Sequence, residues 1–214
     1  MIKAIIFDLD NCLAASDEPG RQLLAPTFDA IRRANHGTLS DDTLERAFDE
    51  CWGHSLDAVA KKYGFSDEML AAGRAENERA EVKVPMHGYP DLDAIRALPA
   101  KLFLVTSGFR RLQESKVRAL GVAPLFERVY IDAIDEPGRK GKEKIFAEIL
   151  REYALEPPEA LVVGDDPDSE IAAGNRLGIP TVQIQRPGIP RAPNALHHIR
   201  SLTELADIMK QYRD

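Results

Sequence analysis

Short apolar runs that alternate with segments of helical period constrain this chain more than any other feature. The series opens with Ile2–Phe7, a run that ends at an acid. Leu102–Thr106 reads as a buried strand, and the segment after it repeats apolar residues at Leu112, Val117 and Leu120 before stopping at Gly121. Val129–Ile131 is a further short run, with Ile145, Phe146, Ile149 and Leu150 marking the amphipathic helix beyond it. Leu161–Val163 leads into a helix carrying Ile171, Ala172 and Leu177 that halts at Gly178. Ile179–Ile184 is the next strand, and Leu202–Met209 a closing helix, after a turn-rich loop at 186–193. Continuous apolar strands joined through helices predict an α/β domain whose parallel sheet is covered on both faces.

About 90 residues without a strand signal separate the first run from the second. Three helical stripes lie there: Leu24, Phe28 and Ile31; Leu44, Ala47, Phe48, Cys51 and Trp52; Leu56, Val59, Ala60 and Tyr63. Ser40 and Asp42 are N-cap candidates for the second, and a charged fourth helix is expected from about Ser66 to Val82. The predicted organisation is a helical insertion over residues 16–85, bounded by Pro85 and Gly88, inside a core made of residues 1–15 and 86–214. No internal repeat or low-complexity tract interrupts it.

Composition narrows the function classes. With 28 Lys and Arg against 35 Asp and Glu, the chain carries a formal charge of −7. That balance argues against nucleic acid as a bulk partner, which clustered cations would attract. A small anion remains an acceptable ligand if a metal or a local lysine reverses the field in a cleft. Two cysteines provide neither a disulfide framework nor zinc spacing. The apolar N-terminal run is too short for a signal core, and no stretch is long enough to span a membrane. The expectation is a soluble, cytoplasmic protein.

In open parallel sheets, ligands bind beyond the carboxyl ends of the strands. The first strand delivers Asp8 and Asp10 to that edge, the second Thr106, Ser107 and Gly108, and the fourth Asp165 and Asp166 with Glu170 one turn on. Lys140 and Lys142 follow the third. Gathering Asp8, Asp10 and Asp165 is costly, because like charges about 4 Å apart repel by roughly 4 kcal/mol at an effective dielectric near 20. A hard divalent cation offsets this, and Mg2+ is the usual one where phosphate completes the ligand set. Hydroxyl and N–H groups at Thr106 and Ser107, opening a helix, suit phosphoryl oxygens.

Four segments together resemble the motifs of the haloacid dehalogenase (HAD)-like hydrolase superfamily: Phe7-Asp8-Leu9-Asp10-Asn11-Cys12-Leu13, Val105-Thr106-Ser107-Gly108, Lys140, and Val163-Gly164-Asp165-Asp166-Pro167-Asp168-Ser169-Glu170-Ile171. The resemblance covers the whole chain in order. It implies a Rossmann-like sheet with a small inserted α-helical cap, and a phosphatase. Asp8 would be the nucleophile, forming an aspartyl-phosphate. Asp10 would protonate the leaving oxygen and then activate water. Mg2+ would be held by Asp8, the main-chain carbonyl of Asp10, and Asp165. Thr106 and Lys140 would hold the transferring phosphoryl, with Ser107 and Gly108 beside it. Glu170 would bind metal-held water or steady the lysine. The substrate would be a small phosphorylated metabolite such as a nucleotide or sugar phosphate. The chain departs from the pattern at Cys12, usually Thr or Val, at Gly141 after the lysine, usually Pro, and at Glu170, usually Asp. The reading prefers Lys140 to its neighbour Lys142.

Bland readings suit several other residues. Asp166 and Asp168 are helix-starting acids. His197 and His198 are adjacent and do not converge as ligands. Trp52 and His54 read as core and cap residues of the insertion, Arg110 and Arg111 as solvated helix arginines. Among competing functions, a dehalogenase needs no second acid to protonate a leaving oxygen, and Asp10 is present. A receiver-type phospho-acceptor would leave Gly164-Asp165 without a task. A phosphomutase remains the alternative, since it shares the nucleophile.

Overall fold

The computed structural model describes residues 1–212. Six parallel strands form one sheet in the order β3-β2-β1-β4-β5-β6. They are β1 (Ala4–Phe7), β2 (Lys101–Gly108), β3 (Arg128–Ala133), β4 (Ala160–Gly164), β5 (Thr181–Ile184) and β6 (His197–Ile199). Side chains alternate across the sheet, so each apolar run feeds two cores. On one face Ile5, Phe7, Leu104, Leu161 and Val163 pack with Val117, Ile95 and Leu205. On the other, Ala4, Ile6, Phe103 and Val162 meet Ile145, Phe146 and Ile149. The sixth strand was not expected. Two histidines and an isoleucine carry no apolar run, and pairing with β5 alone defines it.

Four helices lie between β1 and β2: α1 (Ala25–Ala34), α2 (Asp41–Glu50), α3 (Leu56–Tyr63) and α4 (Asp67–Asn77). Ser40, Ser55 and Ser66 cap the last three by accepting from Thr43, Ala58 and Met69 N–H groups. Their stripes close a core of Ile31, Leu44, Phe48, Leu56 and Met69, distinct from the sheet cores. The fourth helix stops five residues before the expected Val82. Asn77 turns inward instead, accepting from Thr27 Oγ1 at 2.7 Å, and the chain leaves as a linker pinned by Val82 N–H donating to Ser115 Oγ.

The core helices are α5 (Arg110–Leu120), α6 (Lys142–Glu152), α7 (Glu170–Arg176) and α8 (Leu205–Lys210). No helix among the described residues is long and apolar enough to cross a membrane. The chain fills one side of β1 with β2 and β3 and then crosses to β4, β5 and β6 on the other. Strand order therefore reverses between β1 and β4, the position where open sheets leave a crevice.

Candidate active site

Asp8 and Asp165 leave the ends of β1 and β4, adjacent strands that pair through Phe7 and Val163. Both acids are buried, and Glu170 at the start of α7 is buried with them. Carboxylate oxygens of these three lie within 4.8 Å of one another. Gly164 makes this approach possible, since a Cβ there would sit 2.3 Å from the Glu170 side chain. One Glu170 oxygen accepts the Asp166 N–H at 2.7 Å, and the other accepts from Lys142 Nζ at 2.7 Å. Lys142 also reaches Asp8 Oδ1 at 2.6 Å.

Electrostatics follow from burial. Desolvation, then repulsion from Asp8 and Glu170, pushes the Asp165 carboxyl up to about 9. Desolvation outweighs the Lys142 attraction at Asp8 and lifts it to about 7. Burial also opposes the charge on Glu170, but Lys142 and the Asp166 N–H hold it below the ordinary range. Lys142 stays charged, because Asp8 and Glu170 outweigh its own desolvation. One ammonium thus faces three buried acids. Such a donor set is short of positive charge and rich in hard oxygen, which fits a divalent cation of the magnesium type.

A family model described as haloacid dehalogenase-like hydrolase matches residues 2–178. The chain belongs to that family. It is 32% identical over 200 residues to the glyceraldehyde 3-phosphate phosphatase of Methanopyrus kandleri, covering 87% of this chain and 85% of that one. It is also similar to the crystal structure of a HAD phosphatase from Thermococcus onnurineus, at 25% identity and a TM-score of 0.66, covering 97% and 98% of the two chains. The HAD-hydrolase YfnB of Bacillus subtilis, solved with bound magnesium, shares the fold at 19% identity, a TM-score of 0.63, and 97% and 98% coverage.

In this HAD-like hydrolase the lysine at the acids is Lys142, and the preference for Lys140 is corrected. Lys140 is exposed and pairs with Glu148 at 2.8 Å. The cause lies in the turn between them. Asp132, buried at the end of β3, accepts from Ser107 Oγ, Arg139 Nε and Gly141 N–H. This fixes the segment around Lys140, and Gly141 at φ +80 then turns the chain so that Lys142 is the first residue of α6 and points at the crevice. A lysine there faces the positive end of a helix dipole. Asp8 and Glu170 compensate for it.

The Asp10 carboxylate lies outside the cluster of three acids and is held by α5, through Lys116 at 2.6 Å and Gln113 at 3.2 Å. Thr106 is buried beside the site, its hydroxyl donating to Gln113 Oε1 at 3.3 Å. The Ser107 hydroxyl is committed to Asp132 at 3.0 Å. Gly108 follows at the end of β2. Cys12 is fully buried under Asp8, its thiol pushed well up by desolvation and the neighbouring acids, so it is a poor thiolate.

Asp166 and Asp168 form a turn, with Asp168 N–H donating to Asp166 Oδ1. His197 meets the Tyr212 hydroxyl and His198 the Ala192 carbonyl. Arg110 and Arg111 pair with Glu136 and Glu81. Trp52, with the stacked rings of Phe28 and Phe48, lines a cavity of about 210 Å³ among the inserted helices, and His54 is exposed. Sequence reasoning missed Gln113, Lys116, Asp132 and Arg186. Arg186 is buried after β5, where it clamps Asp91 and donates to the Cys12 carbonyl at 2.8 Å. Only Gln113 and Lys116 carried a local signal: their i, i+3 spacing puts both on one helix face.

Proposed function

We propose that this hydrolase is a Mg2+-dependent phosphatase that cleaves a small-molecule phosphate monoester through an aspartyl-phosphate on Asp8. One observation carries the proposal. A buried lysine bridges Asp8 and Glu170, and the buried Asp165 stands beside them at the reversal of strand order. The family's phosphatases, one acting on glyceraldehyde 3-phosphate, support the reaction class. We take the substrate to be a small phosphorylated metabolite, such as a sugar phosphate or nucleotide, since a chain of formal charge −7 does not favour nucleic acid.

Asp8 and Asp165 would hold the cation together with the Asp10 main-chain carbonyl, with Glu170 behind them. When bound, Mg2+ supplies the charge that offsets the acids and the phosphoryl oxygens. Lys142 opposes the desolvation of Asp8 and aims its carboxylate, and its ammonium also faces the transferring phosphoryl. Asp8 attacks phosphorus, Asp10 gives a proton to the leaving oxygen, and Asp10 then takes a proton from the water that releases phosphate. Thr106 and the N–H groups after it would receive the phosphoryl oxygens. Residues 16–85 would act as the cap over the core of residues 1–15 and 86–214, closing the crevice against water.

The test is turnover of p-nitrophenyl phosphate with Mg2+, followed by a screen of phosphorylated metabolites. We expect release of inorganic phosphate, loss of turnover in Asp8→Asn, and loss on chelation that Mg2+ restores. Wild-type turnover by Asp8→Asn would remove the mechanism, and an isomerised phosphate product would make the enzyme a mutase.

A further inference from the structure

Helix α5 buries polar side chains where a packed helix ordinarily buries apolar ones. Gln113, Ser115 and Lys116 are buried, and Val117 is the one apolar residue among its buried positions. Ser115 is explained by the linker it pins. Gln113 and Lys116 are not explained by packing. A buried ammonium is retained at a cost that a leucine or methionine would avoid. Among the described residues, Asp10 is the hydrogen-bond partner of Lys116.

The two side chains divide the Asp10 carboxylate between them. Lys116 Nζ lies 2.6 Å from Oδ1, and Gln113 Nε2 lies 3.2 Å from Oδ2. Gln113 also accepts the Thr106 hydroxyl at 3.3 Å through its other amide atom. Room for it is built in, because a Cβ on Gly108 would fall 2.5 Å from Gln113 Nε2. Thr106, Gln113, Asp10 and Lys116 thus form one chain from the end of β2 to the acid. Asp10 opens a tight loop just past β1, in which Asn11 has φ +55. It is also more exposed than Asp8 or Glu170.

We propose that Gln113 and Lys116 are positioning residues for the acid–base work of Asp10, holding its carboxylate where it can protonate the leaving oxygen and then deprotonate water. The inference rests on the phosphatase reading above. In the first step an Asp8 oxygen bonds to phosphorus as the bond to the ester oxygen breaks, and that oxygen takes the Asp10 proton. In the second a water oxygen bonds to phosphorus, its proton passes to Asp10, and the bond to Asp8 breaks. With p-nitrophenyl phosphate the departing phenolate needs no proton. Misplacing Asp10 therefore slows the second step more than the first.

The experiment measures turnover, KM and acid-trapped phosphoenzyme by intact mass in the full chain with Mg2+, for Lys116→Met, Lys116→Arg and Gln113→Leu. Folding is checked by thermal melting. We expect Lys116→Met and Gln113→Leu to lower kcat roughly 10–100-fold, with KM within about twofold and aspartyl-phosphate accumulating. Lys116→Arg, which keeps a charged donor, should recover most of kcat. Wild-type kcat in both neutral variants would overturn the proposal, as would a loss confined to KM or a loss without phosphoenzyme. A rise in kcat would show the contact to be a restraint and overturn it too. If Lys116→Met does not fold, Gln113→Leu decides. Asp8→Asn in the same assay separates the two readings: if it turns over, the phosphatase reading fails, and if it is inert while both neutral variants behave as wild type, only the positioning role fails.

Discussion

Replacing Lys142 with Met tests the assignment of the site lysine, and Lys140→Met is its control. Lys142 is buried and contacts Asp8 and Glu170 at 2.6 and 2.7 Å. Acids within 4.8 Å of each other repel by about 3–4 kcal/mol per pair at an effective dielectric near 20. Removing the ammonium leaves that repulsion uncompensated, and breaking a buried ion pair costs about 3–5 kcal/mol. For a domain of this size that lowers the metal-free Tm by roughly 6–20 °C. Proton uptake by Asp8 limits the loss, so the low end applies in acid. Mg2+ should recover part of the stability by supplying the missing charge. It should not recover turnover, which we expect to fall by about 10²–10³-fold. Lys140→Met breaks an exposed pair with Glu148, a contact worth about 1 kcal/mol or less, and should leave turnover unchanged. Melting curves with and without Mg2+, paired with p-nitrophenyl phosphate hydrolysis, read all of this. Inactive Lys140→Met beside active Lys142→Met would refute the reasoning.

Three further outcomes are expected. Asp132→Ala should cost about 1 kcal/mol by leaving half-buried donors unmet, and should lower kcat by releasing the turn that aims Lys142; denaturant unfolding and turnover check it. Arg186→Met strands Asp91 and frees the Cys12 carbonyl, so about 3–5 kcal/mol of stability should be lost, read as a shifted urea midpoint. In the metal-free protein, Asp8 and Asp165 hold protons that the unfolded chain releases near 3.8, up to about 7 and about 9. The folded state therefore binds more protons across that window, and metal-free stability should fall as pH rises from about 4 to about 9. Mg2+ must displace those protons, so the gain in Tm on adding it should widen between about pH 6 and 9. A constant gap would contradict the charge assignment.

What the sequence disclosed was set by local signals. The apolar runs at Ile2–Phe7, Leu102–Thr106 and Leu161–Val163 announced β1, β2 and β4, because strands buried on both faces are mostly apolar. The acids at their ends followed from the strand positions alone. The lysine did not. Lys140 and Lys142 are two residues apart, and which one faces the crevice depends on Asp132 drawing in Gly141 and on the positive φ there, neither visible as a pattern. The sixth strand was hidden for a similar reason, since His197 and His198 pair along an edge without an apolar run.

Asp10 shows why spacing alone could not place every acid. Two residues after Asp8, it leaves the strand inside a loop closed by Leu13 and Ala14 N–H groups donating to the Leu9 carbonyl, so the alternation that orients strand side chains no longer applies. Its direction is then decided by what approaches from outside, and Gln113 and Lys116 come from more than a hundred residues away. Asp8 and Asp165 differ in kind. Each is fixed by its own strand end at the reversal of strand order, and that is why the proposed nucleophile and cation site could be read along the chain while the setting of the proposed acid–base group could not. The site thus has a part built at the sheet edge and a part held by one helix.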